Sequence, residues 1–169
     1  MNLTDLLLPF FDREITISAR VLARVPAGHP DWKPHEKSMA LGYLATLVAT
    51  MPTWIAMAVR QDELDLNPPS GQKYDPGTWS TTEELLALHE KSLRSGREAL
   101  RDTNEAHLLT SWRLLVAGNV VQQSPRHEVI TDTLTHLAHH RGQLSVYLRL
   151  LGAPVPSIYG PSADEKKFG

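Results

Sequence analysis

The sequence predicts an all-α protein that folds as a four-helix bundle with long crossover loops and an irregular C-terminal tail. Four segments of 20-odd residues combine helical hydrophobic spacing with helix-start and helix-end signals. Long connections separate some of these segments, and 41% of the 169 residues are hydrophobic. A chain of this length suits one domain, and area scaling gives burial of about 70% of its unfolded surface. We therefore expect residues 1–169 to form a single helical domain.

The first predicted helix covers residues 2–25, with Thr4 as a candidate N-cap and two prolines, Pro26 and Pro30, ending it. No basic residue precedes Asp12 and Arg13, so we expect no signal peptide here. The apolar face of this helix is generous enough to serve either the core or a dimer interface. Its large residues are Leu6, Leu7, Phe10 and Phe11.

The second predicted helix covers residues 36–61 and includes an uncharged stretch from Leu41 to Val59. The large apolar residues in this stretch follow a 3-4-3-4-3 spacing, which is typical of an amphipathic core helix and not of a membrane span. Pro52 lies inside it, removes one backbone donor and is expected to bend the helix. The acidic run from Asp62 to Asp65 is interpreted as a solvated helix end.

The third and fourth predicted helices cover residues 82–102 and 126–151. Hydroxyl residues offer caps before the third, and Pro125 and Gly152 flank the fourth. Residues 103–125 are ambiguous, because the hydrophobic run at 112–116 fits a short strand or a turn and is broken at Gly118. The long connections at 61–81 and 103–125 argue against a simple up-down-up-down arrangement.

Composition excludes several classes of function. The chain has no cysteine, which excludes disulfide scaffolds, Cys-ligated zinc, iron–sulfur clusters and a cysteine nucleophile. This fits a reducing compartment, and we expect a cytoplasmic protein. The formal net charge of −2 does not favour a nucleic-acid partner. Eight histidines are the compositional excess, and they raise the question of a metal.

The predicted fourth helix has a polar stripe beside its apolar stripe. His136, His140, Gln143 and Tyr147 share this stripe at 4-3-4 spacing, and residues four apart lie on one helical face. Two imidazoles placed in this way can reach one cation with metal–nitrogen bonds of about 2.0–2.1 Å. His139 is a competing partner that should point further round the helix. The stripe therefore predicts a metal site at His136 and His140.

The same spacing also fits an ordinary hydrogen-bonded helix edge, and two ligands make an incomplete zinc site. The residues alone do not indicate the third ligand. His35 and Glu36 could supply a ligand or a base, although a solvated helix start is the better interpretation. His107 and His127 are interpreted as structural or exposed. Arg141 falls on the apolar stripe, and from charge alone we expect it to pair with Asp164 or Glu165.

Two runs of the sequence resemble the DinB-like (DinB/YfiT) family. They are PHEKSMALGYLA with MPTW behind it at residues 34–54, and HLAHHRGQLSVYLRLLGAPVPSIYGPSADE at residues 136–165. The resemblance implies a four-helix bundle in up-down-down-up order, often dimeric. It also implies a divalent metal held by three histidines, one from helix two and two from the last helix. Relatives in the family include transferases that join a low-molecular-weight thiol to an electrophile.

The two last-helix ligands of the family correspond to His136 and His140, but the helix-two ligand falls on Leu47. In relatives the pattern resembles Leu-Ala-x-His-Ile-Ala, and here the stretch at 44–49 reads LATLVA. A leucine cannot coordinate a metal, so water, His35 or another group would have to complete the site. The implied cofactor is a divalent ion of zinc, nickel, manganese or iron.

Three functional hypotheses follow. The first is a metal-dependent, thiol-linked transferase or hydrolase with an altered histidine site, acting on a small-molecule thiol or electrophile, with Gln143 or Tyr147 as a pocket-side hydrogen-bond donor. The second is a metal-free pseudoenzyme that serves as a dimeric small-ligand-binding or stress-response module. The third is a bundle that only assembles with itself or with a partner. In each case we expect a homodimer without nucleic acid or membrane.

Overall fold

The structure is a computed structural model that describes residues 2–71 and 74–166. It is mostly helical, and the long helices occupy the segments that the sequence predicts. The elements in chain order are α1 (Leu3–Leu22), α2 (Leu41–Arg60), β1 (Glu63–Asp65), α3 (Thr82–Asp102), α4 (Glu105–Leu108), β2 (Ser111–Val116), β3 (Asn119–Pro125) and α5 (Arg126–Leu150).

Helices α2 and α3 run in the same direction. A ring nitrogen of His89, near the start of α3, lies 3.1 Å from the carbonyl oxygen of Ala49. Further along both helices, Arg60 at the end of α2 donates to the hydroxyl of Ser95 on α3 at 3.3 Å. The long connection between the two helices is what permits a parallel pair.

Helices α1 and α5 run opposite to their neighbours. Arg97 late in α3 pairs with Asp12 in the middle of α1 at 2.9 Å, whereas Thr82 at the start of α3 donates to the carbonyl of Val25 after α1. Helix α5 crosses α2 in the same antiparallel sense. Its first residue, Arg126, reaches the end of α2, and Tyr147 near its end donates to the carbonyl of Met39 before α2.

Proline 52 interrupts the backbone hydrogen bonding of α2, and α3 compensates for it. Pro52 has no N–H to donate. The next N–H, of Thr53, donates to the hydroxyl of Ser92 on α3 at 2.8 Å. Gly96 lets the helices approach at this point, because a Cβ there would lie 2.6 Å from the Pro52 carbonyl oxygen and 3.0 Å from the Phe11 ring. The proline therefore sits where α1, α2 and α3 meet.

The prediction of an all-α fold is wrong in one respect, because the connections 61–81 and 103–125 contain strands. These form a small sheet in the order β1-β2-β3. β1 pairs parallel to β2, with Leu64 opposite Leu114, and β2 pairs antiparallel to β3, with Leu114 opposite Gln122. The β2–β3 turn has positive φ at Ala117 and Gly118. Its N–H groups both donate to the Asp65 carboxylate, at 3.0 and 2.7 Å.

The acidic run after α2 was expected to be a helix end, and this is also wrong, because residues 63–65 form β1. Asp62 stays exposed but accepts from the buried Arg126 guanidinium at 2.5 Å. Arg126 also donates to the carbonyls of Ala58 and Gln61. These carbonyls belong to the last turn of α2, where backbone acceptors have no helical donor. The Arg126 guanidinium from α5 therefore caps the C-terminus of α2, directly before strand β1.

Arg141 does not pair with Asp164 or Glu165, so that expectation is corrected. Its guanidinium lies 2.6 Å from the carboxylate of Glu14 on α1, and both side chains are 1% exposed. It also donates to the Glu14 carbonyl at 2.9 Å and the Ser18 hydroxyl at 3.1 Å. This pair joins α1 to α5 inside the core.

The acidic residues of the tail bind other cations. Asp164 pairs with Arg149 at 2.6 Å, and Glu165 pairs with Arg20 at 2.7 Å and Arg24 at 2.9 Å. The tail after α5 has no regular secondary structure over its described residues, as predicted. These ion pairs hold it against α1 and the end of α5.

Helix α2 is long and apolar enough to cross a membrane by length and composition alone. However, 61% of its most apolar 18-residue window is buried inside the fold. Core residues on this helix include Leu41, Leu44, Val48, Met51 and Ile55. This burial is typical of a central core helix, as the spacing predicts.

Candidate metal centre

The two histidines predicted as metal ligands lie side by side on α5. Their Nε2 atoms are 2.7 Å apart, and their ring centroids are 4.5 Å apart. The four-residue spacing places them on successive turns of one helical face. His140 is buried at 4% exposure, whereas His136 is exposed to solvent. The structure therefore brings His136 and His140 together as the spacing requires.

Gln143 fixes the orientation of His140. The Gln143 Oε1 atom lies 2.7 Å from Nδ1 of His140, and its Nε2 atom lies 3.1 Å from Nε2 of His139. The amide oxygen can only accept, so in this arrangement Nδ1 of His140 carries the proton. Its Nε2 lone pair then accepts a hydrogen bond from the Nε2–H group of His136 at 2.7 Å, and an ion would take the place of this shared proton. A metal-bound histidine has this same pattern, with one nitrogen on the ion and the other donating to a supporting group.

The environment also favours a neutral His136. Although His136 as a whole is exposed, partial desolvation of its imidazole lowers the pKa of His136 below its ordinary value, and the charges that His140 and His139 would carry lower it further. Metal coordination needs the neutral imidazole, because the lone pair must be free. The local electrostatics therefore favour the form of His136 that can bind a cation.

The distance between the two rings can be compared with a metal site. Two nitrogens bound to one ion at about 2.0–2.1 Å, with a tetrahedral angle between them, lie about 3.3 Å apart. The observed 2.7 Å is a hydrogen-bond distance, so the rings would have to separate by about 0.6 Å to admit an ion. His136 is the freer ring, since His140 is held by Gln143. Both nitrogens otherwise fit a shared cation.

A third protein ligand is not found in the part of the chain that the structure describes. No group of three His, Cys, Asp or Glu side chains suited to a metal occurs among residues 2–71 and 74–166. His35 lies in the exposed segment before α2, where its Nδ1 accepts the N–H of Lys37 at 3.1 Å. The structure therefore does not bring His35 to the histidine pair.

Leu47, which corresponds to the helix-two ligand implied by the family resemblance, lies in the middle of α2. It is half-buried and lines a cavity of about 240 Å³ together with Trp54. Two contacts align α2 with the antiparallel α5: the Tyr147 hydroxyl donates to the carbonyl of Met39, and the Trp54 ring packs against the His136 ring. Leu47 lies between Met39 and Trp54 in the chain, so it is level with the part of α5 between His136 and Tyr147. Neither His136 nor His140 lines the cavity at Leu47, so the two histidines and Leu47 share no cavity wall in this structure.

Tyr147 was one of two candidate hydrogen-bond donors at the pair, and it has other contacts. Its hydroxyl donates to the carbonyl of Met39 at 3.1 Å, and its ring packs edge-on against Trp32 at 5.4 Å. Gln143, the other candidate, contacts the pair directly. His107 and His127 form hydrogen bonds with backbone carbonyls, of Val59 at 2.7 Å and of Leu108 at 3.2 Å, which is the structural role expected of them.

A second cavity, of about 360 Å³, opens beside His136. Asp132 and Thr133 lie on its α5 side, one turn before His136, and Trp54 separates it from the cavity at Leu47. Asp132 was not among the residues predicted for the site, although its four-residue spacing from His136 continues the same stripe. The rest of the cavity was not predicted either, because its opposite wall is formed by the unpredicted sheet.

Comparison with known proteins gives one family. The family model described as the DinB family matches residues 6–167 of the chain. Among curated proteins, the uncharacterized protein YrdA of Bacillus subtilis strain 168 is 45% identical over 49 residues, which is 28% of this chain. The match covers only 29% of the length of that relative.

Two solved structures share the fold. A DinB-like protein from Bacillus cereus ATCC 10987 has a TM-score of 0.67 at 18% identity, over 90% of this chain and 95% of that one. The DinB-like protein YjoA from Bacillus subtilis has a TM-score of 0.69 at 17% identity, over 95% of this chain and 99% of that one. At such identities the likeness concerns the fold alone.

Proposed function

Because the chain belongs to the DinB family, we propose that it binds one divalent metal ion through His136 and His140. The observation that supports this most strongly is the pairing of the two Nε2 atoms at 2.7 Å, with the proton of His140 held on its far nitrogen by Gln143. Imidazole nitrogens suit zinc, nickel and iron, and manganese is also accommodated where oxygen ligands complete the shell.

Leu47 stands where the resemblance implies a histidine, and this leaves the proposed site with two protein ligands. With two protein nitrogens, the remaining coordination positions belong to water, to a thiol or to a substrate. Catalytic sites keep open positions, whereas structural zinc sites have four protein ligands. The ion would therefore be held less tightly than in a three-histidine site, and Gln143 becomes important because it keeps His140 aligned.

The reaction class that we propose is thiol-linked transfer or hydrolysis. A bound divalent ion supplies a Lewis acid and lowers the pKa of a coordinated thiol or water. The residues of this chain would bind and orient the reactants. His136 lies at the wall of the 360 Å³ cavity, and the Trp54 ring lies beside it with the ring centroids 6.0 Å apart. The support for this class of reaction is the resemblance of residues 34–54 and 136–165 to the DinB-like family, in which thiol-dependent transferases occur.

The proposal extends to the architecture. Parallel α2 and α3, with α1 and α5 antiparallel to them, support a four-helix bundle in up-down-down-up order, with the small sheet as an addition. We propose that residues 1–169 form one such domain, that it acts in the cytoplasm, and that it assembles as a homodimer.

Calorimetric titration of untagged protein with zinc tests the assignment of His136 and His140 as ligands. His136→Ala and His140→Ala are each expected to abolish the binding isotherm, because each removes one of two protein ligands. His139→Ala is the matched control, since His139 is on the same helix and packs edge-on against His140 at 5.1 Å, but its Nε2 atom is directed at Gln143, and it is expected to retain binding. If both ligand variants bind zinc like the wild type, the site lies elsewhere.

A further inference from the structure

We propose that the cavity between the sheet, α2 and α5 binds a small apolar molecule whose polar end is uncharged or cationic. The proposal rests on the proposed function in one respect, because the same cavity lies beside His136: it names the class of molecule that the cavity takes. The cavity exists without an ion, so its ligand is expected to bind metal-free protein.

The sheet forms one wall of the cavity. Side chains alternate between the faces of a strand, and residues opposite each other in register share a face. Leu64, Leu114 and Gln122 are opposite one another across β1, β2 and β3, and all three line the cavity. Trp112, two residues before Leu114, lines it as well. The same face of each strand is therefore turned towards one space.

The opposite face of the sheet has a different character. Glu63, Arg113 and Gln123 are also in register across the strands, and Arg113 pairs with Glu63 at 2.6 Å. These three side chains are polar and exposed. The leucines and the tryptophan therefore lie on the cavity side of the sheet. An antiparallel sheet with one solvated face has its apolar residues on the face that is turned towards the protein interior.

The helices close the cavity on its other sides. Trp54 and Met57 come from α2, and Val129 comes from α5. The volume of about 360 Å³ is at the lower end of the range for small-molecule sites, which is about 300–1,000 Å³. Aromatic and aliphatic walls of this kind recognise an aromatic ring or a branched aliphatic group.

The polar end of the cavity is made mainly by α5 and offers acceptors. The Thr133 hydroxyl donates to the carbonyl of Val129 at 2.8 Å, so its remaining capacity is to accept. Within the described part of the chain, the Asp132 carboxylate has no hydrogen-bond or ion-pair partner. A ligand with an amine or hydroxyl group therefore suits this end, and a carboxylate is repelled by Asp132.

Three naphthalene probes of equal size test this charge preference on metal-free protein. They are 1-naphthalenemethylamine, 1-naphthalenemethanol and 1-naphthoic acid. Binding is followed through the indole N–H resonances of the four tryptophans by nitrogen-15 correlation spectroscopy. Trp54 and Trp112 line the cavity, whereas Trp32 and Trp79 lie elsewhere. The amine and the alcohol are expected to shift Trp54 and Trp112, and to bind more tightly than the acid.

A pair of matched variants localises the binding. Gln122→Trp places a large side chain over the cavity, and it is expected to weaken binding of the amine by about tenfold or more. Gln123→Trp makes the same change one residue along, on the charged face, and is expected to change binding less than about twofold. Both positions are exposed, so neither substitution disturbs the core.

The charge at the polar end is tested by Asp132→Asn, which keeps the size of the side chain. It is expected to reduce the preference for amine over acid by about fivefold, the scale of one partly exposed ion pair. Absence of any Trp112 shift at millimolar probe would overturn the cavity proposal, as would equal effects of the two glutamine variants. An acid that binds as well as the amine would overturn the assigned ligand class. Because the experiment uses no metal, failure of the proposed metal site leaves these outcomes unaffected.

Discussion

The Arg141→Met variant is expected to lose about 3–5 kcal/mol of its free energy of unfolding, which is the scale for removing one partner of a buried ion pair. The change leaves the Glu14 carboxylate at 1% exposure without its main cation, while methionine still fills the space of the arginine stem. Tyr159 donates to the same carboxylate at 2.6 Å and Arg13 pairs with it at 3.1 Å, but a neutral hydroxyl and a cation that is 62% exposed replace only part of the interaction. Urea unfolding followed by circular dichroism measures the effect.

A double variant distinguishes the loss of the pair from the loss of packing. Glu14→Leu combined with Arg141→Met removes both charges, and it is expected to recover most of the stability, because replacing a buried pair by apolar groups is often neutral. The coupling energy between the two sites is then large. A single variant that loses less than about 1 kcal/mol would mean that the pair contributes little to the fold.

The same pair determines how stability depends on pH. Burial raises the pKa of Glu14, but hydrogen bonds from Tyr159 and Arg141 and the charge of Arg141 lower it by more, so the pKa is below its ordinary value. A carboxyl whose pKa is lowered by folding stabilises the protein above its unfolded pKa. This contribution is lost as the pH falls through the folded pKa. The loss should be absent in the double variant.

Restoring the third ligand is expected to have the largest effect on the metal site. Leu47→His adds an imidazole on α2 at the level of His140, and we expect zinc affinity to rise by at least about tenfold, or 1.4 kcal/mol. A third nitrogen replaces a coordinated water and completes the usual set of three protein ligands. Competition titration against a chelator of known affinity measures the change.

Leu47→Phe is the matched control for this variant, because it introduces a ring of similar size without a nitrogen. It is expected to leave zinc affinity at the wild-type level. If Leu47→His also binds zinc at the wild-type level, the position does not face the His136–His140 pair. The correspondence between Leu47 and the ligand of the family would then be wrong.

The long helices could be predicted from sequence because their signals are local. The segment predicted at 82–102 coincides with α3 (Thr82–Asp102), and the segment at 126–151 differs from α5 by one residue at its end. Prolines and hydroxyl caps fix such boundaries. The first segment was predicted three residues too long at its C-terminal end and the second five residues too long at its N-terminal end, because the helices end before the prolines of the α1–α2 connection are reached.

The sheet could not be predicted in the same way, because its pairing is not local. β1 has three residues, and its partner strand lies 50 positions further along the chain at the Glu63–Arg113 pair. A segment this short has no recognisable period, and its charged residues resemble a solvated helix end. Only the hydrophobic run at 112–116 gave a local strand signal.

The candidate site was predictable in part for the same reason. His136, His140 and Gln143 are within two turns of one helix, so their spacing predicts their meeting. The partner of Arg141 is on α1, 127 positions away, and charge alone did not distinguish Glu14 from the acidic residues of the tail. The cavity beside His136 needs the sheet, and so it could not be found before the sheet was known.

The metal content of untagged protein, prepared without a nickel column and dialysed against zinc, tests the central claim most directly. Inductively coupled plasma mass spectrometry of the wild type should find about one zinc ion per chain, and His140→Ala processed in parallel should retain almost none. Less than about a tenth of an ion per wild-type chain, or equal metal in the two proteins, would contradict the assignment of His136 and His140 as a metal site.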